Sequence, residues 1–78
     1  MSVETSRLSQ LSTPVEYQST RTHVFPSQAS LAWFIRRHRQ RIIDAGAMSI
    51  PAGRKLIDNE RFDQVVVDVG QAALKRAA

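Results

Sequence analysis

Four arginines fall in six consecutive positions, Arg36, Arg37, Arg39 and Arg41, and Asp44 is the only acid on the same stretch. A guanidinium group is always charged and forks onto a phosphate or onto the edge of a guanine, so the chemistry offered here is recognition of an anion. On one helix such charges repel at i, i+3 and i, i+4 unless something anionic answers them. Arg54 and Lys55 extend the cluster. Residues 36–55 hold six cations against Asp44 alone, a net of +5, while the other 58 residues sum to −1. Charge concentrated in this way points to a directed anionic partner, and for a small domain nucleic acid is the commonest one.

Groups suited to other chemistry are sparse. His23 and His38 have no carboxylate at a useful spacing, no glycine-rich phosphate loop occurs, and the chain has no cysteine. No catalytic residues, metal site or cofactor are expected, and the protein does not read as an enzyme. The lack of cysteine fits a reducing, cytoplasmic compartment, with association to the nucleoid if the partner is DNA. No stretch approaches the roughly 20 apolar residues of a membrane span, and the polar N-terminus lacks a signal-peptide core.

The arginines need a helix to carry them. At about 100° per residue, Leu31, Phe34, Ile35, His38, Ile42 and Ala45 share one apolar stripe, which predicts a single helix over residues 27–46. Ser27 is the expected N-cap, with Ser30 the alternative, and Gly46 supplies the stop. His38 lies on the stripe and reads as a buried or half-buried core residue. Trp33, Arg36, Arg37, Gln40 and Asp44 project the other way, with Arg39 and Arg41 on the flanks. Gln28 and Ser30, near the start of the helix, can donate to phosphate beside the free N–H groups of the first turn. Trp33 has two readings: the N-terminal segment or a neighbouring hairpin folds over it, or it packs on a sugar or base edge.

Around this helix the chain is read in three parts. Residues 1–22, rich in Ser, Thr and Gln, are expected to form a flexible arm, with Pro14 ending any short helix near residues 3–11. Residues 22–25 read as extended, because Pro26 follows Phe25. Residues 47–58 read as a hairpin around Pro51-Ala52-Gly53, with Met48 and Ile50 opposite Leu56 and Ile57, and with Arg54 and Lys55 at or beside its tip. Asp58 or Asn59 then caps a last helix from Glu60 to about Arg76, whose stripe is Phe62, Val65, Val66, Val69 and Ala73.

The segment SQASLAWFIRR resembles the start of the recognition helix in small excisionase-like and MerR-like winged-helix proteins. AGAMSIPAGRKLIDNERFDQVV is similar to their wing hairpin followed by a capped helix. The likeness covers about residues 27–69. It implies an α+β, mainly α, winged helix-turn-helix domain over residues 23–78, built of recognition helix, two-stranded wing and C-terminal helix. It also implies that Gln28, Ser30, Trp33 and Arg36 face DNA, with Arg54 and Lys55 on the wing. The DNA-facing set expected from the whole chain is Gln28, Ser30, Trp33, Arg36, Arg37, Gln40, Arg54 and Lys55. No firm first helix precedes Ser27, and the basic helix runs about two turns beyond a usual recognition helix, which leaves Arg39 and Arg41 for the backbone or a second subunit.

The function implied is sequence-specific binding of double-stranded DNA, as an excisionase-like architectural factor or a transcriptional regulator of a mobile element. Partners would include DNA, a recombinase or other regulatory protein, and further copies of the chain in a homodimer or a cooperative array; no membrane is involved. The alternative is a protein-interaction module, an accessory subunit or antitoxin, docking an acidic partner through Trp33 and the arginines. RNA is less favoured, since few aromatics are available to stack splayed bases.

Overall fold

Thr13-Pro14-Val15-Glu16 starts a helix. In the computed structural model, which describes residues 8–51 and 53–77, α1 spans Pro14–Ser19. The Thr13 hydroxyl accepts from Glu16 N–H at 3.1 Å, and the Glu16 carboxylate accepts from Thr13 N–H at 2.9 Å. Two orphan donors of the first turn are thereby satisfied, and Pro14 sits at the first helical position, where its missing N–H costs nothing. Just upstream, Leu8–Gln10 forms a 3-10 turn and Leu11–Ser12 forms strand β1. The expected flexible arm is therefore corrected over residues 11–21, which belong to the fold; residues 1–7 lie outside the described residues.

Helix α2 spans Gln28–Arg37 and α3 spans Arg39–Asp44. Ser27 caps α2, accepting from Ser30 N–H at 3.2 Å. The single long helix expected from the stripe is broken at His38, whose backbone leaves the helical region at φ −116° and ψ 28°. The stripe crosses the break intact because His38 N–H still donates to Phe34 C=O and Ile42 N–H to His38 C=O, both at 3.0 Å. At the far end Gly46 adopts φ +67°. Gly46 N–H donates to Ile43 C=O and Ala47 N–H to Ile42 C=O, each at 3.0 Å, which is a Schellman stop. Residues 22–25, expected to be extended, instead make a turn in which Val24 and Phe25 N–H both donate to Arg21 C=O.

Strands β2, Met48–Ser49, and β3, Leu56–Asp58, form the predicted hairpin, with Met48 opposite Ile57 and Ser49 opposite Leu56. Gly53 in its connection has φ +76°, a conformation that favours glycine. Strand β1 pairs with the other edge of β3, Leu11 opposite Asp58 and Ser12 opposite Ile57, giving an antiparallel sheet of order β1-β3-β2. Helix α4 spans Asn59–Ala77. Asp58, itself 4 % exposed, accepts from Arg61 N–H at 3.1 Å and so caps it.

The core is where these elements meet. Tyr17 of α1, Phe25 of the turn, Phe34 of α2 and Phe62 of α4 form a closed circuit of rings with centroids 4.8 to 6.4 Å apart. Leu31, Ile42, Ala47, Ile57 and Val65 complete it, all buried. Ala45 and Ala73, placed on the buried stripes by periodicity, are exposed. Each lies at an end of its stripe.

Outside the rings, one clasp fixes α1 to α4. Arg21 forks onto Asp63, Nε to Oδ1 at 2.5 Å and Nη2 to Oδ2 at 2.7 Å, and the Tyr17 hydroxyl donates to the same Oδ1 at 2.6 Å. The Arg21 guanidinium also lies over the Tyr17 ring, 4.1 Å from its centroid. Arg21 holds the Asp63 carboxyl below its ordinary range, helped by Tyr17 and opposed by partial burial. Burial and the neighbouring carboxylate push the Tyr17 phenol up.

Candidate nucleic-acid interface

Helix α2 and the hairpin enclose a groove, and Arg36 and Lys55 stand on its two sides. One half, of about 350 Å³, is lined by Pro14, Gln28, Leu31, Ala32, Ile35 and Met48 together with that pair. The other half, of about 320 Å³, adds Arg39, Ile42, Ile43, Ser49 and Ile50. Arg36, Arg39, Arg54 and Lys55 are all exposed. None of these side chains makes an ion pair or hydrogen bond with another described residue. These cations come from three elements: Arg36 from the last turn of α2, Arg39 from the first position of α3, and Arg54 and Lys55 from the β2–β3 connection. Arg54 also acts on α1. The Glu16 carboxyl lies below its ordinary value, chiefly through its hydrogen bond from Thr13 N–H, with the Arg54 charge as a smaller contribution.

The other expected site residues have varied placements. Trp33 is 56 % exposed, and residues 1–7, which one reading of the sequence folds over it, lie outside the described residues. It is the one aromatic side chain left out of the core circuit, and its ring has the Arg37 guanidinium 5.8 Å from its centroid. Gln28 is turned toward α1, its amide donating to Gln18 Oε1 at 3.0 Å and Pro14 C=O at 3.4 Å. That pair spans the α1–α2 turn and fixes how α2 is presented. The Ser30 hydroxyl is engaged at the start of α2, donating to Ser27 C=O at 2.6 Å and accepting from Ser27 N–H at 3.2 Å. The Gln40 amide donates to Asp44 at 2.8 Å along the exposed side of α3. Arg37 points away from the groove into a different hollow, lined also by Arg41 and Arg76.

The arrangement thus gathers Arg36, Arg39 and Lys55 on one groove, with Arg54 next to Lys55 in the hairpin connection and Trp33 beside Arg37 outside the groove lining, and leaves Gln28, Ser30 and Gln40 with internal partners. Arg39 joins the groove, whereas the sequence assigns it to the backbone or a second subunit. The wheel puts Arg39 on a flank of the helix; that this flank faces the hairpin is set by packing alone. His38 is half-buried against Phe34, ring centroids 4.6 Å apart. Burial lowers its proton affinity, and the charges of Arg37, Arg41 and Arg76 lower it further. Among the described residues no group of three or more His, Asp or Glu side chains is placed to hold a metal ion, and no helix is long and apolar enough to cross a membrane. No protein-family model matches the chain, and neither a curated protein nor a solved structure matches it significantly.

Proposed function

We propose that the protein binds double-stranded DNA, as a winged helix-turn-helix module whose recognition helix is α2 and whose wing is the β2–β3 hairpin. The observation that carries this reading is the convergence of Arg36, Arg39 and Lys55, from two helices and a hairpin, on one groove with no carboxylate partner among the described residues. Support also comes from α1, which supplies a first helix packed on α2, and from the sheet order, in which β1 pairs with the edge of β3 away from β2. In this pose α2 enters the major groove, and Arg54 and Lys55 meet the flanking backbone. Trp33 and Arg36 are the side chains free to reach base edges. The role is binding and not catalysis: an excisionase-like architectural factor or a transcriptional regulator, acting with a recombinase or with further copies of itself.

The test is binding to a random duplex across a salt series. Each phosphate contact releases counterions, so affinity should fall steeply with salt, and Arg36→Ala or Lys55→Ala should each make the log–log slope shallower by about one. Binding that ignores salt, or no binding, counts against the proposal.

A second reading rests on Ile43 and Ile50, which are 53 % and 61 % exposed and lie beside Arg39. An apolar strip edged by cations suits an acidic protein partner, as for an accessory subunit or antitoxin. The chain would then bind an acidic partner and lose it on Ile43→Ser, with no salt-dependent affinity for duplex.

A further inference from the structure

The arginines divide into two groups, and only one of them serves the hairpin groove. Arg37 and Arg41 turn toward α4, where with Arg76 they surround a separate polar hollow of about 470 Å³ lined by His38, Val69 and Ala72. Three elements deliver these charges, the end of α2, the middle of α3 and the end of α4. Among the described residues none of the three guanidinium groups has a carboxylate within ion-pair distance. The nearest acid along α4 is Asp68, in the adjoining hollow, where it accepts from the Gln64 amide at 3.0 Å. Like charges held around one space raise the energy of the folded chain unless an anion enters it. At its edge the His38 ring leans on Phe34, 4.6 Å between centroids, and can donate from a ring nitrogen.

We propose that Arg37, His38, Arg41 and Arg76 form a second anion-binding site, distinct from the hairpin groove, that takes a phosphate group. The shared chemistry is a tetrahedral phosphate oxyanion, from a backbone phosphodiester or from free phosphate. The phosphodiester source rests on the duplex-binding reading; the free-phosphate source stands without it. His38 reports on the site, since the charged groups facing it are Arg37 and Arg41 on its own side and Arg76 from α4. An anion among those arginines cancels their effect on the ring and favours the imidazolium. Anion binding and protonation then reinforce each other, and phosphate affinity rises as pH falls through the His38 titration.

The experiment follows the His38 ring by NMR across pH in the full chain, at constant ionic strength set with chloride, in separate arms containing inorganic phosphate or a 15-base-pair duplex. The expected result is a His38 midpoint raised by about half a pH unit, equivalent to a roughly threefold tightening of anion binding on protonation. The Arg37→Ala, Arg41→Ala double variant should lose that response while Arg36→Ala, Lys55→Ala keeps it in the phosphate arm. A response to the duplex alone assigns the site to backbone phosphate, and a response to inorganic phosphate assigns it to a phosphate group of either origin. No movement in either arm, or an undiminished one in the Arg37→Ala, Arg41→Ala variant, overturns the proposal. A chain that binds duplex while His38 stays still loses this site alone; one that ignores duplex while phosphate moves His38 loses the duplex reading alone.

Discussion

Asp63 shows how one side chain can determine where a helix sits. Its two oxygens take Arg21 and the Tyr17 hydroxyl, and so tie α1 to α4 across 42 and 46 residues of sequence. The carboxyl titrates below its ordinary value in the folded chain, so folding favours the ionised form. Its contribution is therefore complete above the ordinary carboxyl value near pH 4 and is lost as pH falls through the depressed folded value. With the carboxylate 46 % exposed, solvent screening keeps the effect modest. Asp63→Asn should cost about 1–2 kcal/mol in urea unfolding at pH 7. The gap between variant and parent should narrow as pH falls below the ordinary carboxyl range and close once the folded carboxyl is protonated, because both then carry a neutral side chain. A gap that persists into acid would mean that shape, not charge, holds the clasp.

Among the elements, α1 depends most on a local device. Thr13→Ala removes the capping hydroxyl and should cost about 1 kcal/mol, with faster amide exchange in α1 than in α4; uniform exchange would show that α1 is held by packing alone. The sequence spells this start as T-P-V-E, a capping box with proline at the first helical position. Reading Pro14 as a stop conceals it, because proline ends a helix from within and opens one from its first turn. Longer elements were easier to read. The stripe of α2 and α3, the Gly46 stop, the hairpin and the Asp58 cap all follow from spacing and turn chemistry. The break at His38 does not, since its flanking hydrogen bonds preserve the period that would have betrayed it. Strand β1 is two residues long, too short for any alternation to register, and its pairing with β3 is a long-range fact.

For the whole molecule, the question is which surface the charge serves. Residues 36–55 announce an anion-binding region by composition, yet neighbouring arginines go different ways, Arg36 to the hairpin groove and Arg37 to the α4 hollow. Helical geometry sets them about 100° apart. Which direction meets the hairpin depends on the aromatic circuit of Tyr17, Phe25, Phe34 and Phe62, and so on contacts among all three parts of the chain. The partner of Gln28 was hidden for the same reason, since it lies on α1, whereas that of Ser30 is Ser27 of the local cap, three residues away. If the α2–hairpin groove is the duplex-binding surface, a 15-base-pair duplex added to ¹⁵N-labelled protein should shift amide and arginine side-chain signals mainly over residues 28–36, at Arg39 and over residues 53–55. The sheet edge at β1 should stay still, and Arg36→Ala should reduce the shifts at Lys55 as well as its own. Shifts confined to other surfaces, or none at duplex concentrations well above the protein's, would contradict the account.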